Sequence, residues 1–329
     1  MASCDLETLA RERPLATTEI HPSNAFYGHA RILKAHAGVR PGTPLKVTIE
    51  HGINFIDHVW DVDAMAGMPM LLCAGAQRAA YVGEFLPEGC RAVAVGPLVM
   101  YAGSQAAEPP PPRSRTLMAF PAHSTHHLDT DYDAHELADR LVAERNAFDR
   151  VAVCLYWRDV QRGLRAPYEA RGIECVTAGH IYDPRFLPRL RRILEEASEV
   201  VTNEVGTHVV YSVALGRPVW MIEQEISMSA ESDAVLRRDG GDAESMAHER
   251  LQEIRELFAE RRSSLTREQS DAIAELAGFG EHKTPRQLRA LLDEADESYR
   301  RRYGAVTRAG RRARSLTRAA GAKVAGALR

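Results

Sequence analysis

The chain has 329 residues, of which 45% are apolar and 26% charged. That composition excludes extended disorder and gives enough length for two domains. Its net charge of −3 hides a split: residues 300–329 carry ten Arg and Lys and no acid, leaving 32 basic against all 45 acidic side chains in the rest. A body that acidic is not built to wrap nucleic acid, and no nucleic-acid partner is expected. No apolar run approaches the roughly 18 residues of a membrane span. The charged N-terminus has no apolar signal core, so the expected location is cytoplasmic. The five cysteines are widely spaced, with no CxxC pair; Cys73, Cys154 and Cys175 sit inside apolar runs and read as small buried thiols.

In chain order, short apolar runs predict buried strands over 45–52, 69–75, 91–96, 115–123, 150–157, 173–179, 199–205 and 217–224. Helical patterns fall between them, at 134–146, 183–198 and 207–216. In the second of these Phe186, Leu187, Leu190, Ile193 and Leu194 share a face, and Gly216 with Pro218 stops the third. This alternation predicts an α/β fold with parallel sheets. The prolines Pro109 to Pro112 cannot continue a helix or a central strand and form a stiff spacer. The expected division is an α/β domain over 1–105, a second over 116–229, a helical segment over 230–299 and a basic amphipathic tail over 300–329. In the tail, Val306, Ala309, Ala313, Leu316, Ala320, Val324 and Leu328 recur at helical spacing.

Four motifs follow strands, and ligands of parallel sheets bind outside the carboxyl ends of strands. Glu50-His51-Gly52 places an imidazole where it can act as a general base, or simply cap a turn. The stretch 120–133 offers His123, Ser124, Thr125, His126 and His127 ahead of Asp129, Asp131 and Asp133. Its spacing fits no zinc motif. The calcium-loop pattern also fails, because Ala134 and Arg140 replace the required Gly and Glu. The segment reads either as an anion-binding loop or as a solvated, capped loop. Gly206-Thr207-His208 opens a helix whose free N–H groups suit a phosphate, though a plain N-cap looks the same. There is no Walker A lysine and no GxGxxG. Gly179-His180 and Tyr156-Trp157-Arg158 end two further strands, where His180 reaches the cleft or caps a helix. Arg158 suits a phosphate there, and Tyr156 a base or the core.

Together these motifs resemble the GT-B class of glycosyltransferases, two Rossmann-like domains facing across a cleft. Within that class they are most similar to CDP-glycerol glycerophosphotransferase-like and surface-polysaccharide enzymes. His51-Gly52 matches that family's His-Gly, which carries the proposed base. Asn203-Glu204, Gly206-Thr207 and Gly216-Arg217-Pro218 match its late strand, hydroxyl and Arg-Pro segment. Only Thr207 stands where the family has two hydroxyls, and Asn203-Glu204 replaces its Asp.

The resemblance implies transfer of a sugar or alditol phosphate from a nucleotide-activated donor to a polysaccharide or lipid-linked acceptor, with no cofactor and no protein-bound metal. It implies catalysis by His51 with Glu50. The donor would be bound by His123, Ser124, Thr125, Arg158, His180, Glu204, Gly206, Thr207 and His208. A nucleotide-sugar epimerase or hydrolase, and a non-catalytic polysaccharide-binding relative, share the architecture. The basic tail is expected to hold the protein to an anionic membrane surface, peripherally on the inner face of the cell membrane.

Overall fold

A computed structural model describes residues 6–55, 58–103, 112, 114–125, 128–230 and 242–304. The spacer residues 104–111, His126, His127 and the tail from 305 onward lie outside these. Three parallel strands, β1 (Val47–Ile49), β2 (Met70–Cys73) and β3 (Arg91–Ala94), form a first sheet in that order. The second sheet has β4 (Thr116–Phe120), β6 (Arg150–Cys154), β7 (Glu174–Val176), β8 (Glu199–Thr202) and β9 (Val219–Met221). Its order is β7-β6-β4-β8-β9, all parallel. Counted within the sheet that is 3-2-1-4-5, the doubly wound order, whose topological switch point lies between β4 and β8. All eight strands expected from the apolar runs are present.

The helices are α1 (Leu6–Ala10), α2 (His29–His36), α3 (Asp61–Ala64), α4 (Ala76–Gly83), α5 (Ala134–Ala143), α6 (Trp157–Gln161), α7 (Ala166–Glu169), α8 (Phe186–Glu196) and α9 (Thr207–Ala214). Beyond them come α10 (Asp242–Leu257), α11 (Arg267–Ala277) and α12 over 285–304.

Residues of β4 alternate between two cores, as the period of a strand requires. Met118 and Phe120 join the core that reaches the first sheet and α11. Leu117 and Ala119 join the core on the far face, with Leu137, Trp157 and Tyr168. A strand buried on both faces is a continuous apolar run, which is why β4, β6 and β8 were legible. Each fully buried side chain of this size contributes about 1.5–3 kcal/mol.

The polar stretch 120–133 is not a loop throughout: Leu128–Tyr132 is strand β5, paired antiparallel with β10 (Ile226–Ala230). The acids that mimicked a calcium loop have other partners. Asp129 pairs with Arg158 at 2.9 Å and Asp131 with Arg162 at 2.6 Å. Asp133 caps α5 by accepting from the backbone N–H of His135 and Glu136.

The chain ends cross over. Helix α1 lies on α6 in the second unit, and His180 N donates to Leu9 O at 3.0 Å. In return α11 and α12 lie on the first sheet's unit. Gly75 approaches Leu276 so closely that a Cβ would stand 2.5 Å from its carbonyl oxygen. The backbone N–H of Lys283 donates to the Tyr101 hydroxyl at 2.8 Å.

Candidate active site

The edge of β1 is held by Asn24, whose side chain donates to Val47 O (2.7 Å) and accepts from Ile49 N (2.8 Å). This clip runs the segment 22–28 alongside β1 and brings Ser23 to His51. His51 Nε2 lies 2.9 Å from Ser23 O. A carbonyl only accepts, so Nε2 carries the hydrogen and Nδ1 keeps the lone pair. Gly52 then turns the chain at φ +66, and a Cβ there would stand 2.8 Å from Thr207 Oγ1. Ile53 N donates to that same oxygen at 3.0 Å.

The segment 22–28 also delivers Tyr27 and, through α2, His29. Tyr27 is the one non-glycine with positive φ among the described residues, at +55. Its hydroxyl meets that of Tyr156 at 3.1 Å. His29 is 1% exposed, its ring centroid lies 6.0 Å from that of His51, and its Nδ1 has no hydrogen-bond partner. Burial, then the nearby His51, holds the His29 pKa well below the usual imidazole range, so it is neutral.

From the second sheet come the exits of β4, β6 and β8. Asn203, fully buried, accepts from Ala122 N at 2.7 Å. That bond ties together the two strand exits that flank the switch point. His123 Nδ1 is 3.1 Å from Ser124 O, which leaves Nε2 as its acceptor, and its ring lies 4.6 Å from that of Tyr156. Gly206 is the N-cap of α9, and a Cβ on it would meet the His208 ring at 2.9 Å. His208 stacks on Phe120 at 5.5 Å and reaches Thr202 Oγ1 at 2.8 Å. Burial pushes its pKa down to about 3. Beside it, burial raises the carboxyl of Glu204 above its ordinary range, against the opposing pull of His123 and Arg255.

Tyr27, His29, His51, Gly52, His123, Tyr156, Thr207 and His208 line a cavity of about 250 Å³, while Glu204 and Gly206 stand just behind that lining. Its lining joins His51 and Gly52 from the first sheet to His123, Tyr156, Thr207 and His208 from the second, with no Lys, Arg, Asp or Glu. The carboxyl ends of both parallel sheets therefore converge on one cleft, the GT-B-like arrangement. With no charged side chain in the lining, the N-terminus of α9 is the local source of positive potential, roughly half a unit charge. Cys154 also lines the cavity, and burial pushes its thiol up to about 12, so it stays protonated. Among the described residues no group of three His, Cys, Asp or Glu is placed to hold a metal ion.

The remaining sequence candidates lie off this lining. Glu50 is buried and accepts from Arg78 Nε at 2.9 Å and Nη2 at 2.5 Å. Ser124 is fully buried, its Oγ accepting from Arg162 Nη1 at 2.6 Å and from Thr130 N at 3.1 Å. Thr125 is half-buried. Arg158 is held by Asp129. His180 is fully buried beside Trp157, ring centroids 4.2 Å apart, and its Nδ1 accepts from Tyr182 N at 3.1 Å. Sequence reasoning missed Tyr27, His29 and Tyr211, because none of them follows a strand.

The sequence matches no protein-family model and no curated protein. Its fold is similar to several solved structures. TarM is 11% identical, with 80% of this chain and 52% of that chain covered at a TM-score of 0.30. UDP-GlcNAc 2-epimerase from Neisseria meningitidis, bound to UDP-GlcNAc, is 9% identical, with 80% and 82% covered at 0.34. The glycotransferase of kitacinnamycin is 15% identical, with 72% and 56% covered at 0.35. The chain thus spans about half the length of TarM and of the kitacinnamycin enzyme.

Proposed function

We propose that the protein transfers a sugar or alditol phosphate from a nucleotide-activated donor to a hydroxyl of a polysaccharide or lipid-linked acceptor. One observation carries this reading. His51, with its Nδ1 lone pair free, shares a 250 Å³ cavity with the N-terminus of α9 from the opposite sheet. In this scheme the donor phosphates lie at Gly206, Thr207 and His208, where the N–H groups of α9 and its dipole stabilise negative charge.

The acceptor hydroxyl gives its proton to His51 Nδ1 as its oxygen bonds to the transferred group. The bond to the nucleotide phosphate breaks, and the leaving charge settles on the α9 amides. His29, neutral and with its Nδ1 unpaired, is left to meet a substrate hydroxyl. Glu50 holds the end of β1 in place through Arg78 and touches no substrate. The basic tail keeps the protein at an anionic membrane surface, on the cytoplasmic side.

Incubation with a panel of nucleotide-activated sugars and alditols, with and without acceptor alcohols, tests this. Acceptor-dependent release of the nucleotide, lost in His51→Ala, is the expected result. Conversion of the donor without an acceptor would instead favour an epimerase or hydrolase.

A further inference from the structure

Helix α3 and its flanks are amphipathic in the wrong direction for a soluble surface. Asp63 is buried, its carboxylate 3.1 Å from the equally buried His21 Nε2, and Ala64 is buried beside it. Trp60, Val62 and Met65 point out, at 42%, 66% and 70% exposure. A turn that puts its carboxylate inside and three large apolar side chains outside marks a contact surface. Among the described residues the other exposed large apolar side chains do not cluster this way. Ile20 and Met228 stand singly, and Phe85 is flanked by exposed Glu84 and Glu88.

Positive charge arrives at the same place. The last turn of α12 is fixed to the chain just after Met65, where the Tyr303 hydroxyl donates to Gly67 O at 2.8 Å. Arg302 donates to Glu88 O at 3.2 Å; the neighbouring Arg300 and Arg301, 75% and 71% exposed, are paired with Asp296 and Glu297 one turn back, so the surplus positive charge comes from Arg302 and from the sequence beyond it. Seven more basic residues and no acid follow in the sequence.

We propose that Trp60, Val62 and Met65 form a membrane-contact face that inserts into an anionic bilayer beside this basic helix end. A shallow apolar wedge and a polybasic segment are each weak anchors, and stable attachment takes two such signals together. A second copy of the chain would bring like positive charge to the same face, so charge favours anionic lipid.

Trp60 supplies its own probe, since Trp157 is 1% exposed and Trp220 half-buried. With phosphatidylglycerol vesicles at low salt, tryptophan emission should shift to the blue and be quenched by lipids brominated on their acyl chains. Trp60→Phe should remove both effects. The triple variant W60S/V62S/M65S should pellet with these vesicles at least tenfold less well than wild type and keep its melting temperature. Neutral phosphatidylcholine vesicles should bind neither protein. Pelleting without bromine quenching, or unchanged by the triple variant, would show that the basic tail acts alone and would overturn the proposal. So would a wild-type dimer in sedimentation that the triple variant turns into monomer. Neither readout uses turnover, so failure here leaves the transferase reading untouched, and an inactive enzyme leaves this proposal untouched.

Discussion

Ile53 N donates to Thr207 Oγ1 at 3.0 Å across 154 residues of chain. The residue after the His51-Gly52 turn is thereby fastened to the first residue of α9. His51 of the first sheet and the N-terminus of α9 in the second are held in one geometry by this bond and by the absence of a Cβ on Gly52.

Breaking that fastening is expected to cost stability and binding together. Gly52→Ala sets a Cβ 2.8 Å from Thr207 Oγ1 at a φ of +66, a strain of about 1–3 kcal/mol. Thr207→Val leaves the buried Ile53 N–H without its acceptor, at about 1–3 kcal/mol. Thr207→Ser should restore most of it. Denaturant unfolding of the three variants checks the order.

His51→Ala is expected to lower turnover by about 10²–10⁴-fold, the usual contribution of a general base. Nucleotide affinity should stay near wild type, because the proposed transfer places His51 on the acceptor side. Steady-state kinetics with calorimetry of the bare nucleotide separates the two effects.

His29 predicts a trade between stability and binding. Its buried Nδ1 has no hydrogen-bond partner within the protein, and an unmet buried polar group costs about 1–3 kcal/mol. His29→Phe should therefore raise the melting temperature of the unliganded protein while weakening donor or acceptor binding. A fall in both would make His29 purely structural.

Acid should loosen the site through His208. Its folded pKa is about 3, below the ordinary 6.5, so its contribution is complete above pH 6.5 and is lost as pH falls toward 3. At pH 4.5 the loss is on the order of 2–3 kcal/mol. His208→Gln, which keeps a donor for Thr202, should flatten the stability profile between pH 6.5 and 4. Chemical unfolding at a series of pH values reads it directly.

The strands were legible because a doubly covered parallel sheet writes each strand as a short unbroken apolar run, as in Thr116–Phe120. Strand β5 escaped notice because Asp129 and Asp131 alternate with Thr130 and Tyr132, and their cationic partners Arg158 and Arg162 stand about 30 residues away. The same non-local pairing explains the candidates that miss the cavity. Ser124, Arg158 and His180 follow strands as the rule requires, but each is already satisfied by a neighbour that periodicity cannot foresee. His29 and Tyr27 reach the cavity only because Asn24 clips their segment onto β1. No pattern within 22–29 announces that bond.

The proposed transfer requires a nucleotide donor bound at the N-terminus of α9, opposite His51. Titration calorimetry with uridine, guanosine and cytidine diphosphates and their sugars, against wild type, Gly206→Val and His51→Ala, tests it most directly. One nucleotide should bind wild type one-to-one, at least tenfold more weakly to Gly206→Val, whose side chain would meet the His208 ring, and almost unchanged to His51→Ala. Absence of binding by every nucleotide, or equal affinity in Gly206→Val, would rule out a donor site at this helix end.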